Sequence, residues 1–212
     1  MGINQSQTGS DNNNAIINAH LLSGKIGYAG AGPFSLTGQP NAMGGREVGG
    51  LANQLAAHMG FSEEEVDRVS RFWNSPQVAR QPGLTAVNLF NAIERGEVKA
   101  VWIMGTNPAV SMPEGNRVAQ ALAKCELVVV SEVSARSDTA DLAHVLLSAQ
   151  GWGEKNGTVT NSERRISRQR SFIAPAGEAK PDWWLLAQVA QRLGYAEAFA
   201  WQHPSEIFAE HA

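Results

Sequence analysis

Between Val98 and Val130 the chain places two short apolar runs on either side of a helical pattern, and this arrangement leaves few folds open. Leu127-Val128-Val129-Val130 is continuously apolar and mostly β-branched, with no polar residue to turn toward water on either side. A strand of that kind is covered on both faces, as strands of parallel sheets are. Before it, Val98–Met104 reads as a first strand, and Pro113–Lys124 sets Val118, Ala121 and Leu122 on one helical face. Strand, helix and strand at this spacing predict a βαβ unit with a right-handed crossover. A helical turn at 137–141 and a third short strand at His144–Leu147 follow. The expected fold is therefore α/β, a small parallel sheet flanked by helices.

The remaining chain divides into helices and one unusual excursion. Residues 11–23 predict a helix with Ile16, Ile17, Ala19, Leu21 and Leu22 as its stripe, Asp11 as cap and Gly24 as stop. From Gly24 to Gly60 lie ten of the chain's twenty-one glycines, with Pro33 and Pro40. Its apolar content is too regular for a disordered linker, so it reads as an ordered loop whose backbone approaches something closely, with a short helical return around 49–58. Ser62 and Glu65 form a capping-box pattern that starts a helix over 62–73. Residues 74–84 connect it to a helix over 85–95, capped by Thr85 and striped by Ala86, Leu89, Phe90 and Ile93. Residues 151–173 have hairpin character. A last helix over 182–193 carries Leu185, Leu186, Val189, Ala190 and Leu193, and Gly194 stops it. Residues 1–212 are expected to form one α/β unit, with 24–60 as its glycine-rich loop region and 98–194 as its βαβ core.

Composition removes several functions. Apolar residues make up 43 % and charged residues 17 % of the chain, a globular balance whose low charge suggests surface buried against something else. A net charge of −3 lacks the basic face that nucleic acid requires. No stretch approaches the ~20 apolar residues of a membrane span. The polar, Asn-rich start lacks the regions of a signal peptide, and Met1 reads as an internal methionine of a longer protein. Cys125 alone can form no internal disulfide, zinc site or iron–sulfur site, and its place before an apolar run makes it a buried structural thiol. The five histidines show no metal-ligand spacing, so no metal ligand is predicted; His144 reads as a satisfied core or edge residue.

In open α/β sheets, ligands bind beyond the carboxyl ends of the strands. Gly105-Thr106-Asn107-Pro108 follows the first strand: glycine admits a ligand to the backbone and Asn107 offers a donor and an acceptor, although the same residues serve ordinary turn chemistry. Ser131-Glu132 follows the second strand, where an acid can hold ribose hydroxyls or a guanine edge; a solvated loop glutamate is the alternative. In the segment 152–165, Lys155 and Arg164-Arg165 could neutralise phosphate, or simply decorate a solvated hairpin. No G-x-G-x-x-G follows the first strand and there is no Walker loop, so the usual nicotinamide and nucleoside-triphosphate fingerprints are absent.

Four segments in order carry a resemblance over essentially the whole chain: Met1-Gly2-x-Asn4-Gln5, Thr37-Gly38-Gln39-Pro40-Asn41-Ala42-Met43-Gly44-Gly45-Arg46-Glu47-Val48-Gly49-Gly50, Gly105-Thr106-Asn107-Pro108, and Trp152-x-Glu154-Lys155-x-Gly157-Thr158-x-Thr160-Asn161-x-Glu163-Arg164-Arg165. The chain resembles the molybdopterin oxidoreductases, and 37–50 resembles their prokaryotic assimilatory nitrate reductases. That resemblance implies a molybdenum bis(molybdopterin guanine dinucleotide) cofactor, fed by a 4Fe-4S cluster, that reduces nitrate to nitrite in the cytoplasm. It implies an electron-donor protein or reductase subunit as partner, with no nucleic acid and no membrane. By position, Met1 and Gln5 match residues lining the pterin; Asn107, Ser131, Glu132, Lys155 and Asp182 match dinucleotide contacts. Arg46 matches an arginine of the substrate funnel, with a salt bridge to Glu47 or a loop carbonyl as its structural alternative. Glu132 stands where many relatives have Asp, Ser148 where Pro is common and Asn156 where an acid is common. The family's cluster cysteines, its metal-ligating cysteine and its C-terminal β-barrel have no counterpart here, so the chain reads as an internal piece that acts with the rest of the same polypeptide. The alternatives are a sister enzyme, a formate dehydrogenase or periplasmic nitrate reductase, and a non-catalytic subunit or plain nucleotide-binding module that keeps the fold.

Overall fold

The computed structural model describes residues 3–4, 6–35 and 38–212. In chain order the helices are α1 (Gly9–Leu22), α2 (Ala42–Glu47), α3 (Glu63–Phe72), α4 (Ala86–Glu94), α5 (Pro108–Ser111), α6 (Gly115–Lys124), α7 (Asp182–Ala190) and α8 (Pro204–His211). The strands are β1 (Ala100–Met104), β2 (Leu127–Glu132), β3 (Val145–Ser148), β4 (Gly157–Thr160) and β5 (Ile166–Gln169).

The sheet is the expected one. β1, β2 and β3 lie side by side in that order, all parallel, with Met104 opposite Ser131 and Glu132 opposite Ser148. The central strand is the most buried, but on one face: Val128 and Val130 are essentially inaccessible, whereas Leu127 on the other face is 42 % exposed and Val129 only part-buried, so the cover expected on both faces is complete on one alone. Helix α6 crosses from β1 to β2 and presents Val118, Ala121, Leu122 and Cys125, the i, i+3, i+4, i+7 set of one helical face. They pack with Phe90 and Ile93 of α4, Ile103 of β1, and Val128 and Val130 into the main core. Cys125 is buried there, its Sγ within 3.3 Å of the Lys99 carbonyl. A second, smaller cluster joins Leu55 to Val66 and Val69 of α3. Outside the cores, Arg117 of α6 reaches Glu94 of α4 at 2.6 Å and Glu114 at 3.1 Å, tying the two helices at the surface.

Local signals succeeded where they were self-contained. The Ser62 cap forms as predicted: its hydroxyl accepts from the Glu65 amide while Glu65 Oε2 accepts from the Ser62 amide. His144 Nδ1 accepts from the Val128 amide at 2.9 Å, a satisfied edge histidine. The hairpin expected in 151–173 is the antiparallel pair β4–β5. Other details differ. Helix α1 begins at Gly9, so Asp11 lies in its first turn instead of capping it. Thr85 precedes α4 without a side-chain cap bond. The glycine-rich excursion contains α2, and the chain closes with α8, neither of which its own apolar pattern announced.

The surface is larger than such a chain normally shows. The accessible area is 14514 Å², against ~9,500 Å² for a compact monomer of this mass. Leu22, Phe34, Phe172 and Leu193 are all more than two-thirds exposed. Such apolar exposure is characteristic of surface awaiting a cover.

Two stability predictions follow from the core and its surface tie. Leu122→Ala removes a fully buried side chain and is expected to cost about 2–5 kcal/mol, read from the urea midpoint of tryptophan fluorescence; Leu127→Ala, at a half-exposed position, costs much less. Hydrogen bonding to Arg117 holds the Glu94 carboxyl below the usual carboxylate range, with burial opposing it. A depressed folded-state value adds stability above the ordinary glutamate range and forfeits it as pH falls through the lowered value. The stability gap between the parent and Arg117→Gln is therefore widest above the ordinary glutamate range and narrows as pH falls through and below it, measurable as urea midpoints across that window.

Candidate functional site

Because all three strands of the main sheet run the same way, their carboxyl ends share one edge. The loop after β1 leaves beside β2, where the Gly105 amide extends the ladder by donating to the Ser131 carbonyl at 3.1 Å. Gly105 has φ +61, a left-handed backbone that favours glycine, and a Cβ there would meet nothing within 4 Å, so this turn faces open space. Beyond β3, Ala149 pairs in parallel with Lys180. The Lys180 amide donates to the Ser148 carbonyl and the Gln150 amide to the Lys180 carbonyl, both at 3.0 Å. That pairing draws 180–182 to the same edge, and Asp182 begins α7 there. Its Oδ2 lies 3.0 Å from Lys155 Nζ. Residues from four distant stretches, 105–107, 131–132, 149–155 and 180–182, thus meet along one rim.

The side chains on this rim divide into those that hold the fold and those that face outward. Asn107 Oδ1 accepts from the Thr139 hydroxyl at 2.6 Å and the Thr139 amide at 3.2 Å, and Thr139 is wholly buried. The Thr139 hydroxyl in turn accepts from the Ala109 amide at 3.1 Å. The Asn107 acceptor is therefore spent on fastening the β1 loop to the turn before β3. Its amide nitrogen makes only a long 3.4 Å contact to Asp138 and keeps a proton to offer. Ser131 is fully buried, its Oγ accepting from the Trp102 indole at 2.8 Å. Its hydroxyl is spent on Trp102 and its carbonyl on the Gly105 amide, so only its neighbour meets the rim.

That neighbour is half-buried Glu132, whose Oε1 accepts from the Val133 amide at 2.7 Å. This fixes the carboxylate and leaves Oε2 available. The Lys155–Asp182 pair remains part-exposed, with side-chain exposures of 30 % and 38 %, and Asp182 sits in the first turn of α7 where the helix dipole favours an anion. Sequence reasoning missed Lys180, whose Nζ lies 5.6 Å from the Trp184 ring centre. It also missed Thr139, which no local pattern marks, because its partner Asn107 lies in another loop.

Arg46 occupies the last turn of α2, exposed, and among the described residues no carboxylate pairs with it. The alternative of a bridge to Glu47 is not what forms: Glu47 lies against Arg164 and His58 instead. Met1 and Gln5 lie outside the described residues. Among the described residues no group of three His, Cys, Asp or Glu side chains could hold a metal ion, and no helix is long and apolar enough to cross a membrane.

Chemically, the rim presents a fixed carboxylate, an amide donor, two lysines and an open glycine turn. This donor set fits a ligand that carries phosphates, sugar hydroxyls and a hydrogen-bonding base. Among the described residues it offers one wall, open to water.

Comparison with known proteins places the chain in a family. The chain is 65 % identical over its full length to a nitrate reductase of Klebsiella oxytoca and spans 24 % of that protein. It is 60 % identical over its full length to a nitrate reductase of Shewanella frigidimarina, spanning 22 % of it. Against the F420-dependent formate dehydrogenase subunit alpha of Methanocaldococcus jannaschii, identity is 35 % over 99 % of this chain and 31 % of the other. The chain thus spans about a quarter of the length of these relatives. The model of the molybdopterin oxidoreductase family matches residues 1–192, and the chain belongs to that family.

Proposed function

We propose that this chain is the portion of a molybdenum-dependent nitrate reductase that forms one wall of its molybdopterin guanine dinucleotide site and part of its substrate funnel. What carries the reading is whole-chain identity to nitrate reductases far above that to the formate dehydrogenase. The assignment to the assimilatory, cytoplasmic type rests on the segment 37–50. When bound, the molybdenum cofactor supplies the two electrons that, with two protons, take nitrate to nitrite and water. The chain's own residues bind and orient. Glu132 Oε2 and the Asn107 amide suit the hydroxyls and base edge of a guanine nucleotide; Lys155, steadied by Asp182, suits its phosphates, and Ser131, matched to the dinucleotide by resemblance, is fully buried and acts by holding the strand end that presents Glu132. Met1 and Gln5 are assigned to the pterin by resemblance. Arg46 presents a forked cation that matches planar nitrate and stabilises charge as an oxygen departs.

On this reading a 4Fe-4S cluster, the metal-ligating residue and the facing wall come from the rest of the polypeptide, and an electron-donor protein or reductase subunit delivers the electrons. The apolar surface described above is where that remainder docks.

Three measurements test this. In the full enzyme, Arg46→Ala is expected to leave molybdenum content intact and lower nitrate turnover per molybdenum about a hundredfold; lost metal with unchanged turnover per molybdenum would make the residue structural. Lys155→Ala with Glu132→Ala is expected to lower the guanine nucleotide released on acid hydrolysis, and an unchanged yield would remove the rim from the cofactor site. The 212-residue chain alone, given reduced viologen and nitrate, is expected to form no nitrite above background.

A further inference from the structure

Helix α2 poses a packing problem. It has six residues, too few to stand alone in water, and none of them is buried. Its apolar residues Ala42 and Met43 are only half-buried. The seam between it and the hairpin is a cleft lined in part by Glu47, Thr158, Thr160 and Arg164. Polar ties add to that contact. At its start, Asn41 Oδ1 accepts from the Thr160 amide at 2.9 Å; a Cβ on Gly44 would collide with that same oxygen. At its end, Gln54 Nε2 donates to the Arg46 carbonyl at 2.6 Å.

Glu47 makes the third tie, and the only charged one among the described residues of the helix. Its Oε1 lies 2.7 Å from Arg164 Nη2 and its Oε2 3.1 Å from His58 Nε2. Oε1 is shut off from solvent and is not aligned with the N–H bond, so the attraction to Arg164 is that of opposite charges. One carboxylate therefore joins α2 to two other segments: the hairpin turn and the turn before α3. Both partners sit in left-handed backbone, Arg164 at φ 66 and His58 at φ 59, a conformation that surrounding contacts must hold. The Asn161 side chain does this for Arg164 by accepting from the Glu163 and Arg165 amides at 3.0 Å. The clamp thus grips a turn that is itself fixed.

We infer that Glu47 is a positioning residue: its carboxylate, held by Arg164 and His58, fixes the rotation of α2 and thereby the direction in which Arg46 points. Successive residues of a helix lie about 100° apart, so a grip on residue 47 from the hairpin side turns residue 46 away from the hairpin. Arg46 is exposed and pairs with no described carboxylate, so its aim comes from its backbone. This rests on the reading of Arg46 as a substrate residue.

The test is a double-mutant cycle in the molybdenum-loaded full-length enzyme, comparing the parent, Arg46→Ala, Glu47→Ala and the double variant. With Arg46 present, Glu47→Ala is expected to lower kcat/KM for nitrate about 10- to 100-fold at unchanged molybdenum content. With Arg46 already removed, the further loss is expected to stay below about twofold, because the two act as one unit. Glu47→Gln, which keeps the shape of the side chain but removes the charge that attracts Arg164, reproduces most of the loss, and Arg164→Ala reproduces it through a different side chain. Equal losses in both backgrounds, or molybdenum content falling in step with activity, would make Glu47 an ordinary structural residue and overturn the inference. A harmless Arg46→Ala overturns the substrate role of Arg46 and this inference with it, and that single variant reveals which of the two has failed.

Discussion

Parallel pairing of β2 with both of its neighbours is the constraint from which the rest of the molecule follows. A parallel ladder aligns strand ends as well as strand faces, so every loop that leaves a carboxyl end emerges on the same side. The register carries the effect further than the three strands. Once Ala149 takes Lys180 as a parallel partner, Asp182 is delivered to the same rim and reaches Lys155. The crossover helix α6 makes this possible by burying Val118, Ala121 and Leu122 over Val128 and Val130. Without that apolar contact the central strand would have no cover.

On the rim, structural contacts and free hydrogen-bonding capacity are divided within single residues. Asn107 spends its oxygen on Thr139 and keeps a donor; Glu132 spends one oxygen on its own loop amide and keeps the other; Ser131 turns its hydroxyl wholly inward. Each outward group is held by an inward one. A group whose orientation is fixed before its ligand arrives has less conformational freedom to lose on binding. The arrangement is thus preorganised while still open to solvent.

What could be read in advance depended on how local the cause was. The strands, the α4 and α6 stripes and the Ser62–Glu65 cap arise from neighbours in the chain, and each was legible. The sheet's parallel order followed from the uninterrupted apolar run of β2. Helix α2 was not legible, because it has no apolar stripe of its own and the partners of its ties, Gln54, His58, Thr160 and Arg164, lie elsewhere in the chain. The glycine-rich stretch was expected to let its backbone approach something closely, and at Gly44 that partner proved to be the chain's own Asn41 side chain. The candidate rim was legible as separate loops after strands. Its internal economy was not, since the Asn107–Thr139 and Trp102–Ser131 contacts each join stretches about thirty residues apart.

The open rim and the extended surface belong to one argument. A lysine and a carboxylate that both meet water interact weakly, because solvent screens them and competes for their hydrogen bonds. The same groups beneath a second wall would act through a lower dielectric, and a phosphate brought between them would be held far more strongly. A chain with thousands of square ångströms more accessible surface than its mass requires, and with Leu22, Phe34, Phe172 and Leu193 on it, is shaped to receive such a wall. On the proposed reading, affinity for the dinucleotide is therefore a property of the closed assembly. This chain supplies the geometry, and the covering wall supplies the exclusion of water that gives the geometry its strength.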